Sequence, residues 1–367
     1  MFNAATAPLT PLRQQIRFAH ASDGVRLAYA RSGRGPVLLK AATWLSHLEH
    51  DWGSPVWRHM LNTFSEGQTL VRYDERGCGL SDWLVPDLSF ESWVRDLETI
   101  ADKLDTPRFA LLGISQGASI AIAYAVRHPE RVSRLVLHGG YARGRLARGP
   151  SPEAAAEAET MVRLAEIGWG RCDDAFRQFF TTQFIPGGTR EQHAWFNELE
   201  RISTSPANAA NFMREFNRID VTALLPQVRC PTLVLHSLHD RRVPYEEGRL
   251  IAGAIPDAEF VSINSANHLL LDSEPGWTVW RARVGQFLDG DRAVGASATF
   301  GSLTTRQRDL VELIAQGHDN SQIAARMGLA EKTVRNNVTA IFSKLEVENR
   351  GQAIVRARES GFGAVRH

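Results

Sequence analysis

The apolar run Phe109-Ala110-Leu111-Leu112 leads directly into Gly113-Ile114-Ser115-Gln116-Gly117, and helical spacing begins at Ala118 and continues to Arg127. A buried strand that turns at once into a helix through a serine flanked by glycines leaves few fold options. The two glycines permit a sharp turn and close helix-on-strand packing, and the serine hydroxyl is left at the tip. Short apolar runs recur at Pro36–Leu39, Thr69–Tyr73, Leu135–His138, Thr232–His236 and Phe260–Ile263. Such continuous runs predict strands covered on both faces by helices, hence an α/β layered fold from Gln14 to about Leu288. Asp23-Gly24, between Ile16–His20 and Val25–Tyr29, predicts a hairpin at the start.

One stretch breaks the rhythm. From about residue 143 to 218 no strand pattern appears, and Trp169, Phe176, Phe179, Phe180, Phe184, Trp195, Phe196, Phe212 and Phe216 crowd a helical text. This predicts a helical cap after the sixth strand, roofing an apolar cavity. Trp44, Trp52, Trp57 and Trp169 suggest an apolar or aromatic ligand, with Trp44 and Trp169 as candidate walls beside Ser115 and His268. Residues 289–302 are rich in Gly, Ala and Ser and predict a linker. Domains are thus expected at 1–288, with the cap at 143–218, and at 303–367.

A serine hydroxyl needs a base, and the base needs an orienting acid. Asp240 and His268 follow the strand runs ending at His236 and Ile263, in the chain order serine, acid, histidine. His239 is expected to be a loop neighbour. His47, His50 and Asp51 lack the spacing of a catalytic zinc site, and neither a metal nor a cofactor is expected. The residues around Ser115, Asp240 and His268, with Asp74-Glu75-Arg76-Gly77-Cys78-Gly79-Leu80-Ser81-Asp82, resemble the α/β-hydrolase superfamily over about Gln14 to Leu288. The resemblance implies catalytic roles for Ser115, Asp240 and His268, and an oxyanion hole from the backbone N–H groups of Thr43 and Gln116. The sequence departs from the family at Lys40-Ala41-Ala42-Thr43-Trp44, where His-Gly is usual, so the support of a transition state is open.

The chain carries 42 Lys and Arg against 41 Asp and Glu, but residues 301–367 hold 10 against 7, a mildly basic tail. Within it Thr304 is a plausible N-cap, Leu310, Leu313 and Ile314 form an apolar stripe, and Gly317 ends a helix. Asn320 or Ser321 is expected to cap a second helix, Gly328 makes a tight turn, and Glu331 to Leu345 forms a third. Helix, glycine turn and helix make a helix-turn-helix, whose last helix would lie in the major groove. Its exposed face would carry Lys332, Thr333, Arg335, Asn336, Asn337 and Thr339, with Lys344 near its end; Arg and Asn suit bidentate base contacts, Lys and Thr suit phosphate. Leu303-Thr304, Gly317, Ile323-Ala324, Glu331-Lys332-Thr333-Val334-Arg335, Lys344-Leu345 and Arg350 resemble the LuxR-type (GerE-like) domain, from about Ser302 to Gly361. That resemblance implies a homodimer, joined partly through the helix from Arg350 to Ser360, on double-stranded DNA.

The combination predicts a transcription regulator whose hydrolase-like domain senses, and can hydrolyse, a small apolar ligand. The alternative is a serine esterase or lactonase with an appended DNA-binding domain. Three separated cysteines (Cys78, Cys172, Cys230), no apolar leader and no long apolar stretch point to a cytoplasmic protein without membrane contact.

Overall fold

The computed structural model describes residues 12–149, 151–171, 174–301, 303–345, 347–359 and 362–363. The chain divides into two compact units, with the boundary between Val284 and Gly285.

In the first unit the apolar runs become an eight-stranded sheet: β1 (Gln14–His20), β2 (Arg26–Gly33), β3 (Val37–Lys40), β4 (Thr69–Tyr73), β5 (Phe109–Ile114), β6 (Val132–His138), β7 (Thr232–Ser237) and β8 (Glu259–Ile263). Their order is β1-β2-β4-β3-β5-β6-β7-β8. β1 pairs antiparallel with β2, with His20 opposite Arg26, and Gly24 takes the positive φ of +86° that the turn requires. From β4 onward every pairing is parallel, which places the C-terminal ends of β3, β5, β6, β7 and β8 on one edge. Every residue of β5 and β7 is buried, as their unbroken apolar character requires.

After β6 come four helices, Pro152–Gly168, Asp174–Phe184, Arg190–Ser203 and Pro206–Phe216, with no strand among the described residues between them. An isolated bridge between Arg143 and Asp220 ties the two ends of this insertion together. The helices start where local chemistry allows: Ser151, Thr189 and Ser205 each accept a backbone N–H with their side chains, and Pro152 and Pro206 open helices where a missing donor costs nothing. Trp169, Phe180, Phe196 and Phe212 are fully buried; Trp169 packs on Phe180 within the cap, while Phe212 stacks on Trp93 of the helix Phe90–Ala101.

The stretch 289–302, expected as a linker, is helical as far as Gly301 within the helix Pro275–Gly301, and Ser302 lies outside the described residues. No proline interrupts this stretch, and Ala293, Ala296 and Ala298 are strong helix formers that offset its glycines.

The second unit contains the helices Thr305–Ala315, Asn320–Met327, Glu331–Lys344 and Arg350–Glu359 around a core of Leu310, Ile314, Ile323, Val334, Val338, Ile341, Leu345, Ala353 and Ala357. Thr304 and Gln307 form a capping box on the first helix. The second helix is capped by Asp319, not by Asn320 or Ser321: its carboxylate accepts the Gln322 N–H while the Gln322 side chain accepts the Asp319 N–H. Gly328 closes that helix in the left-handed conformation, φ +63°, and redirects the chain into Glu331–Lys344. Cys78 and Cys230 are buried free thiols, and Cys172 lies outside the described residues. No helix of the described residues is long and apolar enough to cross a membrane.

Candidate functional site

Ser115 sits between β5 and the helix Gln116–Arg127 with φ +54° and ψ −127°, a region costing about 1–3 kcal/mol for a residue with a side chain. Its flanking glycines explain how the strain is held. A Cβ on Gly113 would lie 2.6 Å from the Ala118 Cα, and one on Gly117 would lie 2.6 Å from the Ala42 carbonyl oxygen. Strand, turn and helix can approach this closely only without those side chains.

The loops after β7 and β8 bring Asp240 and His268 together, with Nδ1 of His268 2.7 Å from Oδ2 of Asp240. The other Asp240 oxygen accepts the N–H groups of Arg242 and Val243 at 2.7 and 2.9 Å. Burial alone would raise the Asp240 carboxyl, but His268 and these N–H donors outweigh it and hold Asp240 below the usual carboxylate range. The loop carrying His268 is pinned to the cap, since its N–H donates to the Phe184 carbonyl at 2.8 Å. Nε2 of His268 is buried and makes no hydrogen bond among the described residues. His268 and Ser115 both line one cavity, about 720 Å³ of empty space that is partly open to solvent. His239 donates its N–H to Ser265 and is exposed, a loop neighbour only.

Thr43 and Gln116 line the same cavity. The Gln116 N–H belongs to the first turn of a helix, where no intrahelical acceptor exists and the helix dipole is positive. Its side chain also clamps the loop after β3. Oε1 of Gln116 accepts the Trp44 N–H at 3.0 Å, and Nε2 donates to Glu75 Oε1 at 2.6 Å. Glu75 is fully buried, and burial pushes it up to about 8. Lys40, in the departure from the family pattern, is buried beneath this loop and donates to Thr43 Oγ1 at 3.2 Å; burial brings it down to about 8. These residues hold the loop after β3 in place. The sequence marks Gln116 only for its backbone N–H and gives Lys40 and Glu75 no such part, because these side-chain contacts depend on long-range approach.

The stretch 74–82 is the scaffold under that clamp. Asp74 Oδ2 accepts the N–H groups of Leu48 and Leu80, and Arg76 is buried between Asp96 and Asp23, each at 2.6 Å.

The cavity wall includes Trp44, Trp57, Tyr141, Phe184, Phe196 and Phe216, as an aromatic pocket requires. Trp169, expected as a wall, does not face it. It is fully buried behind Trp44, stacked on it at 5.2 Å and packed edge-on against Phe180. Trp52 instead lies beneath the Arg72 guanidinium. Nor is the wall apolar throughout: Arg145, Arg148 and Arg242 line it. No cluster of metal-ligating side chains occurs among the described residues; His50 stacks on Trp195 at 4.6 Å.

In the second unit Lys332, Thr333, Arg335, Asn336 and Thr339 are exposed on Glu331–Lys344, opposite the buried Val334, Val338 and Ile341. Asn337 is half-buried and donates to the Thr333 carbonyl, and Arg335 pairs with Glu331 at 3.2 Å. Lys344 donates to Gln307 at 2.9 Å, so it also joins two helices. Arg350 holds Asn320 and the His318 carbonyl, and Arg356 and Arg358 donate to the carbonyls of Leu345 and Ala315. Lys344, Arg350, Arg356 and Arg358, four cations of the basic tail, therefore stitch the unit together.

Comparison with known proteins agrees with both readings. The family described as "alpha/beta hydrolase fold" matches residues 47–275, and "Bacterial regulatory proteins, luxR family" matches residues 301–357. The chain belongs to the α/β-hydrolase fold family and carries a C-terminal GerE-type, luxR-family helix-turn-helix domain. It is similar to a 2-hydroxy-6-oxononadienedioate/2-hydroxy-6-oxononatrienedioate hydrolase of Pseudomonas putida, 27% identical over 72% of this chain and 86% of the relative. It is also similar to a pimeloyl-[acyl-carrier protein] methyl ester esterase of Nitrosomonas europaea, 26% identical over 65% of this chain and 90% of the relative. Among solved structures, an enol-lactonase from Burkholderia xenovorans shares the fold with a TM-score of 0.59 at 21% identity, covering 74% of this chain and 99% of that one.

Proposed function

We propose that this protein is a DNA-binding transcription regulator whose hydrolase unit binds a small acyl compound over Ser115 and hydrolyses it. The observation that carries the reading is one cavity lined by a strained serine and a histidine held by a buried carboxylate, in a chain that also carries a luxR-family domain. In the proposed chemistry Ser115 Oγ attacks the carbonyl carbon as its proton passes to His268 Nε2. Asp240 keeps the Nδ1–H in place and stabilises the imidazolium. The oxyanion accepts the N–H groups of Thr43 and Gln116; collapse expels the alcohol, which takes the proton from His268. Water then repeats the sequence and releases the acid. The methyl ester named for the Nitrosomonas europaea relative fits this class of acyl chemistry.

Regulation follows if bound and empty cavities differ in affinity for the state that binds DNA. The luxR-family resemblance supports a homodimer, which a mildly basic domain needs for tight and specific binding. The test has two arms. DNA selected from a random pool by the full chain should lose affinity on Arg335→Ala, and 4-nitrophenyl ester turnover should vanish on Ser115→Ala while DNA binding persists. Selection of no sequence defeats the regulator reading; equal turnover by the parent and Ser115→Ala defeats the nucleophile.

A further inference from the structure

The charge of the cavity wall is not balanced. Arg145 is paired with Glu157. Arg148 reaches a carboxylate only at 3.9 Å, that of Glu247, which Arg143 already holds at 2.7 Å and whose other oxygen accepts the N–H groups of Ala142 and Arg143. Arg148 otherwise donates to the Arg143 carbonyl and lies over the Tyr141 ring. Arg242 has no carboxylate partner among the described residues. Its Nη1 comes within only 3.5 Å of the Gln183 side-chain Oε1, and its guanidinium lies over the Phe184 ring at 5.3 Å. The nearby Asp240 is committed to His268 and to two backbone N–H groups. Both Arg148 and Arg242 are half-buried, and burial, with repulsion from neighbouring arginines, brings each below the usual arginine range.

Two guanidiniums lacking a counterion of their own thus line, together with aromatic rings, the cavity that holds Ser115 and His268. We propose that the ligand carries a carboxylate, seated on Arg242 with Arg148 beside it, together with the acyl carbonyl presented to Ser115. A planar fork of donors matches a carboxylate in two parallel hydrogen bonds, and desolvation strengthens the pair. Anionic acyl compounds are then selected and purely apolar ones are not, contrary to the expectation from the aromatics. The proposal rests on the cavity being the ligand site, and its test separates binding from turnover.

Isothermal titration of full-length Ser115→Ala protein compares monomethyl glutarate with methyl pentanoate, of the same acyl chain length but without the acid. The acid should bind at least about tenfold more tightly, and Arg242→Met should bring the ratio to about one, with Arg242→Lys in between. On the parent, kcat/KM for 4-nitrophenyl hydrogen glutarate over 4-nitrophenyl pentanoate should show the same preference and the same loss. Thermal melts establish that each variant is folded; the Arg242 N–H to Asp240 is a backbone contact and survives both substitutions. Equal binding of the two esters, or a ratio unchanged in Arg242→Met, overturns the anion site. A parent that hydrolyses neither ester yet binds the acid selectively overturns the hydrolytic reading and leaves the anion site standing.

Discussion

Gln116→Met tests how the loop after β3 is held. Methionine keeps the volume and flexibility of glutamine, so little cavity is created. Two hydrogen bonds are lost: the one accepted from the Trp44 N–H at 3.0 Å and the one given to Glu75 at 2.6 Å. A buried N–H without an acceptor costs about 1–3 kcal/mol. Glu75, held near 8, is largely protonated at neutral pH. Its lost bond is then of the neutral kind, about 1 kcal/mol. The sum, about 2–4 kcal/mol, is a large share of the ~5–15 kcal/mol that stabilises a protein. The deficit should widen as pH rises through 8, where Glu75 ionises without its donor. Thr43 precedes Trp44, so on the proposed chemistry a freed loop misaims one of the two oxyanion donors, at about a hundredfold or more in kcat. Urea denaturation at pH 7 and 9, with kcat for a 4-nitrophenyl ester, reads both effects. An unshifted midpoint with kcat within about threefold of the parent would refute the clamp.

Glu75→Gln should flatten the pH dependence of stability. The folded value near 8 lies above the ordinary 4.5, so across that window the folded protein keeps a proton the unfolded chain has released. Glu75's contribution is therefore full below about 4.5 and is lost as pH rises through about 8. Relative to the parent, the variant should gain stability between pH 5 and 8 in urea titrations; a constant difference would count against a buried, neutral Glu75. Gly117→Ala places a Cβ 2.6 Å from the Ala42 oxygen, so the elbow must shift, with turnover lost and the melting temperature lowered; an active, equally stable variant would show the contact to be soft. Asp319→Ala removes a cap from the second helix of the C-terminal unit and should lower that unit's stability by about 1 kcal/mol, read by urea unfolding followed by circular dichroism.

What the sequence made legible follows from the range of the interactions involved. The runs at Phe109–Leu112 and Thr232–His236 announce buried strands because both of their faces are covered, and the glycines around Ser115 announce the elbow because no side chain fits there. Asp240 and His268 could be paired in advance because each follows a strand of one parallel sheet. The guanidiniums of Arg148 and Arg242 meet in one wall although 94 positions separate them, and nothing local in their text marks them. Lys40 and Glu75 read as ordinary charges until the fold buries them. Trp169 reads as a cavity wall, and only the fold shows it as the buried ring behind Trp44. Asp319 takes the cap from Asn320 because the helix starts one residue earlier than its polar text suggests.

Covalent labelling tests whether Ser115 is nucleophilic in this chain with its luxR-family domain. Full-length protein treated with a fluorophosphonate should gain the mass of one adduct, mapped by peptide sequencing to Ser115, and His268→Ala should slow its formation by orders of magnitude. An unmodified protein, or an adduct on any other residue, would contradict the claim.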